Sequence, residues 1–384
     1  MSHHKKTLWV LALAYFFAFF SSGLQMPLTA PAMESVGLSL TTVGAMWATR
    51  NVMGSLTPPL WGLAADLRGN VRTFAVLSFV FGAGILLLLP FTVDATFAVL
   101  LFAAYGATTG PAVGMIDGMT IQALGDQQTR FGKHRAWGTL GFSIAVLMSM
   151  VLLEEKVVRI EPGWVFFSCA GALLVTSVIL FVLPPLPRPR LARIRDVLPV
   201  LWAPGIRSLF VLTVILWMSH IAFAGFLAPM VTRSHMPTWV VGASLFSSLL
   251  CETFILRGSA PLIARFGTHE ILQAACVLAT LRWFLSAHTT SPALFIALQS
   301  IHGFTFALFF AALIPAVMRR VPSYMHQTAQ GIFSTTSFGV GGALGSLLVG
   351  IMLDHTTPKN TWLAMAAIAG VACAFVFFFV KRRA

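Results

Sequence analysis

Twelve stretches of this chain are each apolar over the thickness of a bilayer, and no other feature restricts its fold as much. A membrane-crossing helix needs about 20 mostly apolar residues. On that scale the sequence predicts spans at 7–29, 40–65, 72–91, 96–122, 133–154, 163–183, 207–229, 239–264, 270–288, 292–318, 328–352 and 361–380. Only 10% of the residues are charged, against about 25% in a soluble domain. The chain therefore cannot cover itself with a polar surface and must be solvated by lipid. The first span is too long for a signal-peptide core and lacks a cleavage site, so it is expected to stay in the mature protein.

The net charge of +13 does not indicate nucleic acid. Of 25 Lys and Arg, 18 fall at the N-terminus, in the even-to-odd loops or at the C-terminus. The opposite loops carry four, Lys156, Arg159, Arg233 and Lys359. Positive residues are retained in the cytoplasm, so both termini are expected to be cytoplasmic, in a cell inner membrane. Anionic lipid, not nucleic acid, is the expected partner for this charge. Cys169, Cys251, Cys276 and Cys373 all sit inside predicted spans with no CxxC spacing, which makes them packing residues and not a metal site or disulfide framework. No GxxxxGK[ST] segment is present, so ATP hydrolysis is not expected. No catalytic pair lies near a membrane interface; neither an enzyme nor a bound cofactor is expected.

The Pro- and Arg-rich segment Pro184–Val197 is the longest polar interruption and divides the chain nearly in half. We therefore expect a six-helix N-terminal bundle over 1–183, a cytoplasmic linker over 184–206 and a six-helix C-terminal bundle over 207–384. The halves share a weak repeat. Pro111-Ala112-Val113 in span 4 recurs as Pro315-Ala316-Val317 in span 10, and Pro59-Leu60 in span 2 as Pro261-Leu262 in span 8. Repeats of this kind build two pseudo-symmetric bundles, with a solute site expected near the bilayer midplane.

Charged groups at membrane depth are costly and mark solute or proton pathways. Glu252, Arg282 and His302 lie roughly 20, 18 and 15 Å into spans 8, 9 and 10 at about 1.5 Å per residue. The first and last are counted from outside and Arg282 from inside, so the three are level. Glu252 and Arg282 are expected to pair. Gln299, His302 and Thr305 recur every three residues and share one side of span 10. In the first half Arg50 lies mid-way along span 2. Asp117, in span 4, and Arg135, opening span 5, form an expected pair, with Phe142 beyond them. Arg257 is expected only to snorkel toward the cytoplasm.

The loop after span 2, Gly62-Leu63-Ala64-Ala65-Asp66-Leu67-Arg68-Gly69, resembles the GxLaDrxG signature of the major facilitator superfamily. The resemblance implies that Asp66 and Arg68 hold helix ends together and act in gating. The run from Phe131 through Phe142, with Arg282-Trp283 and Gln299-xx-His302-Gly303-xx-Phe306, resembles the group of lactose permease, nucleoside-proton symporters and 3-phenylpropionate transporters. It implies that Asp117 and Arg135 bind solute and that Phe142 replaces a sugar-stacking tryptophan. It also implies that Glu252, Arg282 and His302 couple solute to protons. The chain departs from that pattern at Thr305, where lactose permease has its proton-carrying carboxylate. Coupling would then fall to Glu252, His302 or Asp117.

The expected cations (Arg50, Arg135, Arg257, Arg282) outnumber the expected anions (Asp117, Glu252). An excess of buried positive charge favours a carboxylate solute. The expected function is a proton-coupled symporter for a small aromatic or other organic acid, acting as a monomer, with protons and the solute as partners. Sugar or nucleoside symport remains an alternative, and so does drug-proton antiport. The Gly106-xxx-Gly110-Pro111-xx-Gly114 run resembles an antiporter motif but lies on span 4, where it reads as a kinked, tightly packed helix. Gly341, Gly342, Gly345 and Gly350 in span 11 read as close-packing residues.

Overall fold

A computed structural model describes residues 3–68, 70–125, 131–153, 161–183, 205–321 and 332–380. Among the described residues the chain is entirely helical between its turns. The first half contains α1 (His3–Ser35), α2 (Leu40–Leu56), α3 (Pro58–Arg68), α4 (Val71–Leu88), α5 (Ala95–Leu124), α6 (Phe131–Leu153) and α7 (Pro162–Phe181). The second contains α8 (Ile206–Arg233), α9 (Trp239–Phe266), α10 (Thr268–Ser286), α11 (Pro292–Ser300), α12 (Phe309–Met318), α13 (Gly342–His355) and α14 (Pro358–Phe379). A π-helical segment, Gly303–Leu308, lies between α11 and α12, and another, Thr335–Gly341, leads into α13.

Local sequence sets the helix ends. Ser39, Asn70, Asp94, Ser291 and Thr357 each precede a helix and accept a hydrogen bond from the backbone N–H three residues on, satisfying a donor that the first turn leaves open. Proline heads α3, α7, α11 and α14, where its missing N–H costs nothing. A single residue, Gly267 at φ 88, separates α9 from α10, a conformation that glycine adopts without strain.

Among the described residues, nine segments are long and apolar enough to cross a membrane. The other three helical segments, 40–68, 131–153 and 268–286, contain Arg50, Arg135 and Arg282, and 40–68 is divided into helices of 17 and 11 residues. All twelve predicted spans therefore correspond to helical segments, with two differences of detail. Span 1 runs on through Pro27 and Pro31 to Ser35. Span 2 is interrupted at Thr57, immediately before Pro58 and Pro59, because proline offers no N–H to continue the ladder.

The chain forms two compact units, Met1–Leu191 and Ala192–Ala384. Most of the expected linker, 184–206, lies outside the described residues. The units share one packing plan. In the first, α1 packs on α6 and α7, α2 on α5, and α4 on α5 and α7. In the second, α8 packs on α13 and α14, α9 on the segment 292–308, and α10 on that segment, α12 and α14. Counted as spans, both halves pair first with fifth and sixth, second with fourth, and third with fourth and sixth. The repeat read from a few prolines is thus a repeat of the whole contact pattern.

Glycines set the closest crossings. A Cβ on Gly106 would collide with the Arg50 backbone, and one on Gly110 with the Gly54 backbone. The GxxxG run on α5 is therefore a helix-crossing seam against α2, as its packing reading required. Gly341 and Gly345 meet the backbones of Val214 and Met218 on α8 in the same way.

Candidate functional site

In the second unit the polar residues converge on Arg282, which is wholly buried. Its Nε and Nη2 both donate to Gln299 Oε1, at 3.2 and 2.7 Å. Its Nη1 lies 3.1 Å from His302 Nδ1 and 3.4 Å from Thr305 Oγ1. The guanidinium carbon sits 3.9 Å from the Trp283 ring centre and 4.7 Å from that of Phe223. Trp283 in turn stacks on Trp362 at 5.2 Å. Desolvated cation–π contacts of this kind are worth about 2 kcal/mol or more. They help explain how a cation persists here without a carboxylate.

Gln299, His302 and Thr305 do face one way, as their spacing implied, and the structure adds the device that gathers them. The α-helix ends after Ser300 and continues as π-helix over Gly303–Leu308. Such a widened turn re-aims side chains and recurs at functional sites. Gly303 lets this segment touch the backbone of Cys251 and Glu252 on α9.

The expected Glu252–Arg282 pair does not form. Glu252 is half-buried and has no hydrogen-bond or ion-pair partner among the described residues. Residues at equal depth still differ in azimuth by 100° per residue, and depth was all that the sequence supplied. Arg282 points from α10 toward α11 and the π segment, where Gln299 and not Glu252 receives it.

His220, near the middle of α8, completes the cluster. Its Nε2 is 3.1 Å from Thr305 Oγ1 and its Nδ1 is 2.9 Å from the Leu216 carbonyl. It is buried, and its ring lies parallel to Trp217. Sequence reasoning passed over it, although the same criterion applied: a titratable residue at mid-span.

In the first unit the expected Asp117–Arg135 pair is present, with Arg135 Nε 3.6 Å from Asp117 Oδ1 and both side chains about a third exposed. A second residue that the sequence reading missed, Tyr15 on α1, donates its hydroxyl to the same oxygen at 2.6 Å. The Arg135 guanidinium lies over Phe19 at 4.1 Å and Tyr15 at 5.3 Å. Phe142 is half-buried further along α6 and makes no ring contact with this group; its main chain abuts Gly23 on α1.

Arg50 stands apart from these three. Its guanidinium lies 5.1 Å from the Trp47 ring centre and 5.5 Å from that of Tyr105. Its Nη1 reaches only Asn51 Oδ1, at 3.5 Å, and its Nε is buried with no acceptor. Arg257 is exposed on α9. Arg68 is exposed over Phe74. Asp66 belongs to α3, but its side chain and Gly69 lie outside the described residues, and so does the Asp66–Arg68 gating contact.

Twelve helical segments in two units of like topology, with arginines held at mid-span, define a multi-pass membrane transporter and not an enzyme. The chain belongs to the MFS_1 like family of the major facilitator superfamily, whose model matches residues 8–364. It is 24% identical to the maltose permease of Geobacillus stearothermophilus, over 97% of this chain and 94% of that protein. It is also 24% identical to the "Probable 3-phenylpropionic acid transporter" of Escherichia coli (strain K12), over 95% and 96%. The xanthosine permease of the same organism is 22% identical, over 88% and 86%. Among solved structures, the nucleoside transporter NupG superposes with a TM-score of 0.85 at 18% identity, covering 99% of this chain and all of that one. That likeness establishes the major facilitator fold.

Proposed function

We propose that this protein is a proton-coupled symporter that imports a small organic acid, best an aromatic carboxylate, by alternating access. The observation that carries the reading is a charge imbalance. Of Arg50, Arg135 and Arg282, Arg135 has a carboxylate and the other two have none among the described residues. Arg282 is satisfied by neutral acceptors, whereas Arg50 keeps a buried Nε–H with nothing to receive it. A solute carboxylate supplies that acceptor and the missing charge together, through a charge-assisted contact, and Trp47 and Tyr105 wall the same guanidinium with rings. Glu252, with no partner among the described residues, is the group proposed to carry a proton alongside His302. The relative named for 3-phenylpropionic acid agrees with this substrate class.

A second reading rests on its own observation. The Asp117–Tyr15–Arg135 group is neutral overall, and its two charged side chains are about a third exposed, a suitable partner for hydroxyls. With relatives named for maltose and xanthosine, sugar or nucleoside symport is the alternative. We further propose an inner-membrane location with both termini in the cytoplasm, and action as a monomer.

The test is external pH in weakly buffered vesicles after addition of aryl-propionates, then disaccharides and nucleosides, with protein-free vesicles as control. Alkalinisation by an aryl-propionate, with KM raised about 10- to 100-fold in Arg50→Gln, supports the acid reading; that range corresponds to one charged hydrogen bond of about 1.5–3 kcal/mol. Alkalinisation only by a neutral solute, unaffected by Arg50→Gln, replaces it with the second reading.

A further inference from the structure

The Arg282 cluster fixes its own hydrogen-bond directions. A guanidinium only donates and a carbonyl only accepts. Arg282 Nη1 therefore donates to His302 Nδ1 and to Thr305 Oγ1. His220 Nδ1 donates to the Leu216 carbonyl, which leaves Nε2 as the acceptor for the Thr305 hydroxyl, 3.1 Å away. That hydroxyl has one other acceptor in reach, the His302 carbonyl at 3.4 Å. Thr305 is thus a rotor with two settings, one of which leaves His220 Nε2 open to a proton.

We propose that His220 is a further proton acceptor in the cycle, beside Glu252 and His302, and that Thr305 relays its protonation to Arg282. The inference rests on the proton-coupled reading above. In the step an N–H bond forms at His220 Nε2. The Thr305 hydrogen turns to the His302 carbonyl, and Thr305 Oγ1 then accepts from both His220 and Arg282. No electrons move and no heavy atom has to shift. The charged and titratable groups facing His220 are Arg282 on α10 and His302 at the start of the π segment. No carboxylate contacts it among the described residues. A second cation beside Arg282 is unfavourable unless an anion arrives with it, so the arrangement binds proton and anion as a pair. His220 and Thr305 also line a crevice with Thr213, Trp217, Phe306 and Phe310 that is too tight in this conformation for a water molecule. The proton therefore enters only when this unit rearranges, a requirement of coupled transport.

Trp217 reports on the site directly. Its ring is parallel to that of His220, 6.1 Å away, and an imidazolium at that range quenches indole emission. Purified protein is titrated by tryptophan fluorescence with 3-phenylpropionate present, so that the anion the pairing requires is supplied. We expect a quenching step on acidification in the wild type and in His302→Gln, and no step in His220→Gln. Thr305→Val should move its midpoint by roughly 0.5–1 pH unit, the weight of one hydrogen bond, while Thr305→Ser leaves it in place. In vesicles His220→Gln should retain solute exchange and lose pH-driven accumulation at least tenfold. Identical titrations of wild type and His220→Gln at equal melting temperatures overturn the inference, as does undiminished accumulation. If His220→Gln does not fold, an unmoved midpoint in Thr305→Val overturns it instead. Should the wild type move no protons with any solute, the proton-coupled reading itself falls. Should it do so and His220→Gln do likewise, only the role of His220 falls.

Discussion

Gln299 is the side chain on which the buried cation depends. It receives two of the Arg282 donors at one oxygen and passes its own amide hydrogen to Ser286 Oγ at 3.0 Å. Gln299→Leu keeps the volume and strands two charged donors in a site with no solvent exposure. Interhelical hydrogen bonds in membranes average about 0.6 kcal/mol and reach about 1.7, and bonds to charged groups run to about 1.5–3 kcal/mol. Two such bonds set an expected loss of about 3 kcal/mol. At about 2–4 °C per kcal/mol for a domain of this size, the melting temperature should fall by about 6–12 °C. Gln299→Glu makes the opposite change, turning neutral bonds into an ion pair in the same geometry, and should raise the melting temperature. Purified protein in one detergent, melted with intrinsic fluorescence as the probe, measures both. Should Gln299→Leu melt within a degree of the wild type, Arg282 is not held as described. Should Gln299→Glu melt lower than Gln299→Leu, the idea that the guanidinium lacks a carboxylate is wrong.

Three further outcomes follow from the geometry. Tyr15→Phe removes the donor to Asp117 and should weaken solute binding about tenfold or more, the value of one hydrogen bond to a charged group, without loss of folded protein in the membrane; unchanged binding would separate Tyr15 from the site. Gly110→Ala drives a methyl into the Gly54 backbone, whereas a Cβ at Gly54 meets its nearest neighbour at 3.4 Å. Expression and melting temperature should therefore drop sharply in the first variant and little in Gly54→Ala, and equal behaviour would refute the seam. Glu252→Gln should abolish gradient-driven accumulation while leaving exchange, and full accumulation in that variant would exclude Glu252 as a proton carrier.

The lipid-spanning class and the order of helices were legible because hydropathy is a property of local sequence. So were Asp117–Arg135 and the common direction of Gln299, His302 and Thr305, since helical spacing and simple charge complementarity determine them. The sequence misassigned the partner of Arg282 because opposite charge suggested Glu252, while the π segment delivered a neutral amide. Tyr15 was hidden for a related reason: it looks like an ordinary apolar-helix residue until another helix brings Asp117 to 2.6 Å. His220 met the mid-span criterion, and what the sequence hid was its partner, Thr305 on another helix. The glycine seam was readable as close packing, but its target, the backbone beneath Arg50, was not.

The neutral surroundings of Arg282 have an electrical consequence. A buried guanidinium balanced by an acid carries no net charge through the cycle, whereas this one is balanced only by dipoles and rings. In the proposed alternating-access cycle that charge crosses part of the transmembrane field, worth about 2.3 kcal/mol per elementary charge for each 100 mV. Under the proposed coupling a carboxylate and its proton cancel, so the loaded protein keeps the charge of the guanidinium and the potential acts alike on delivery of the load and on return of the empty protein.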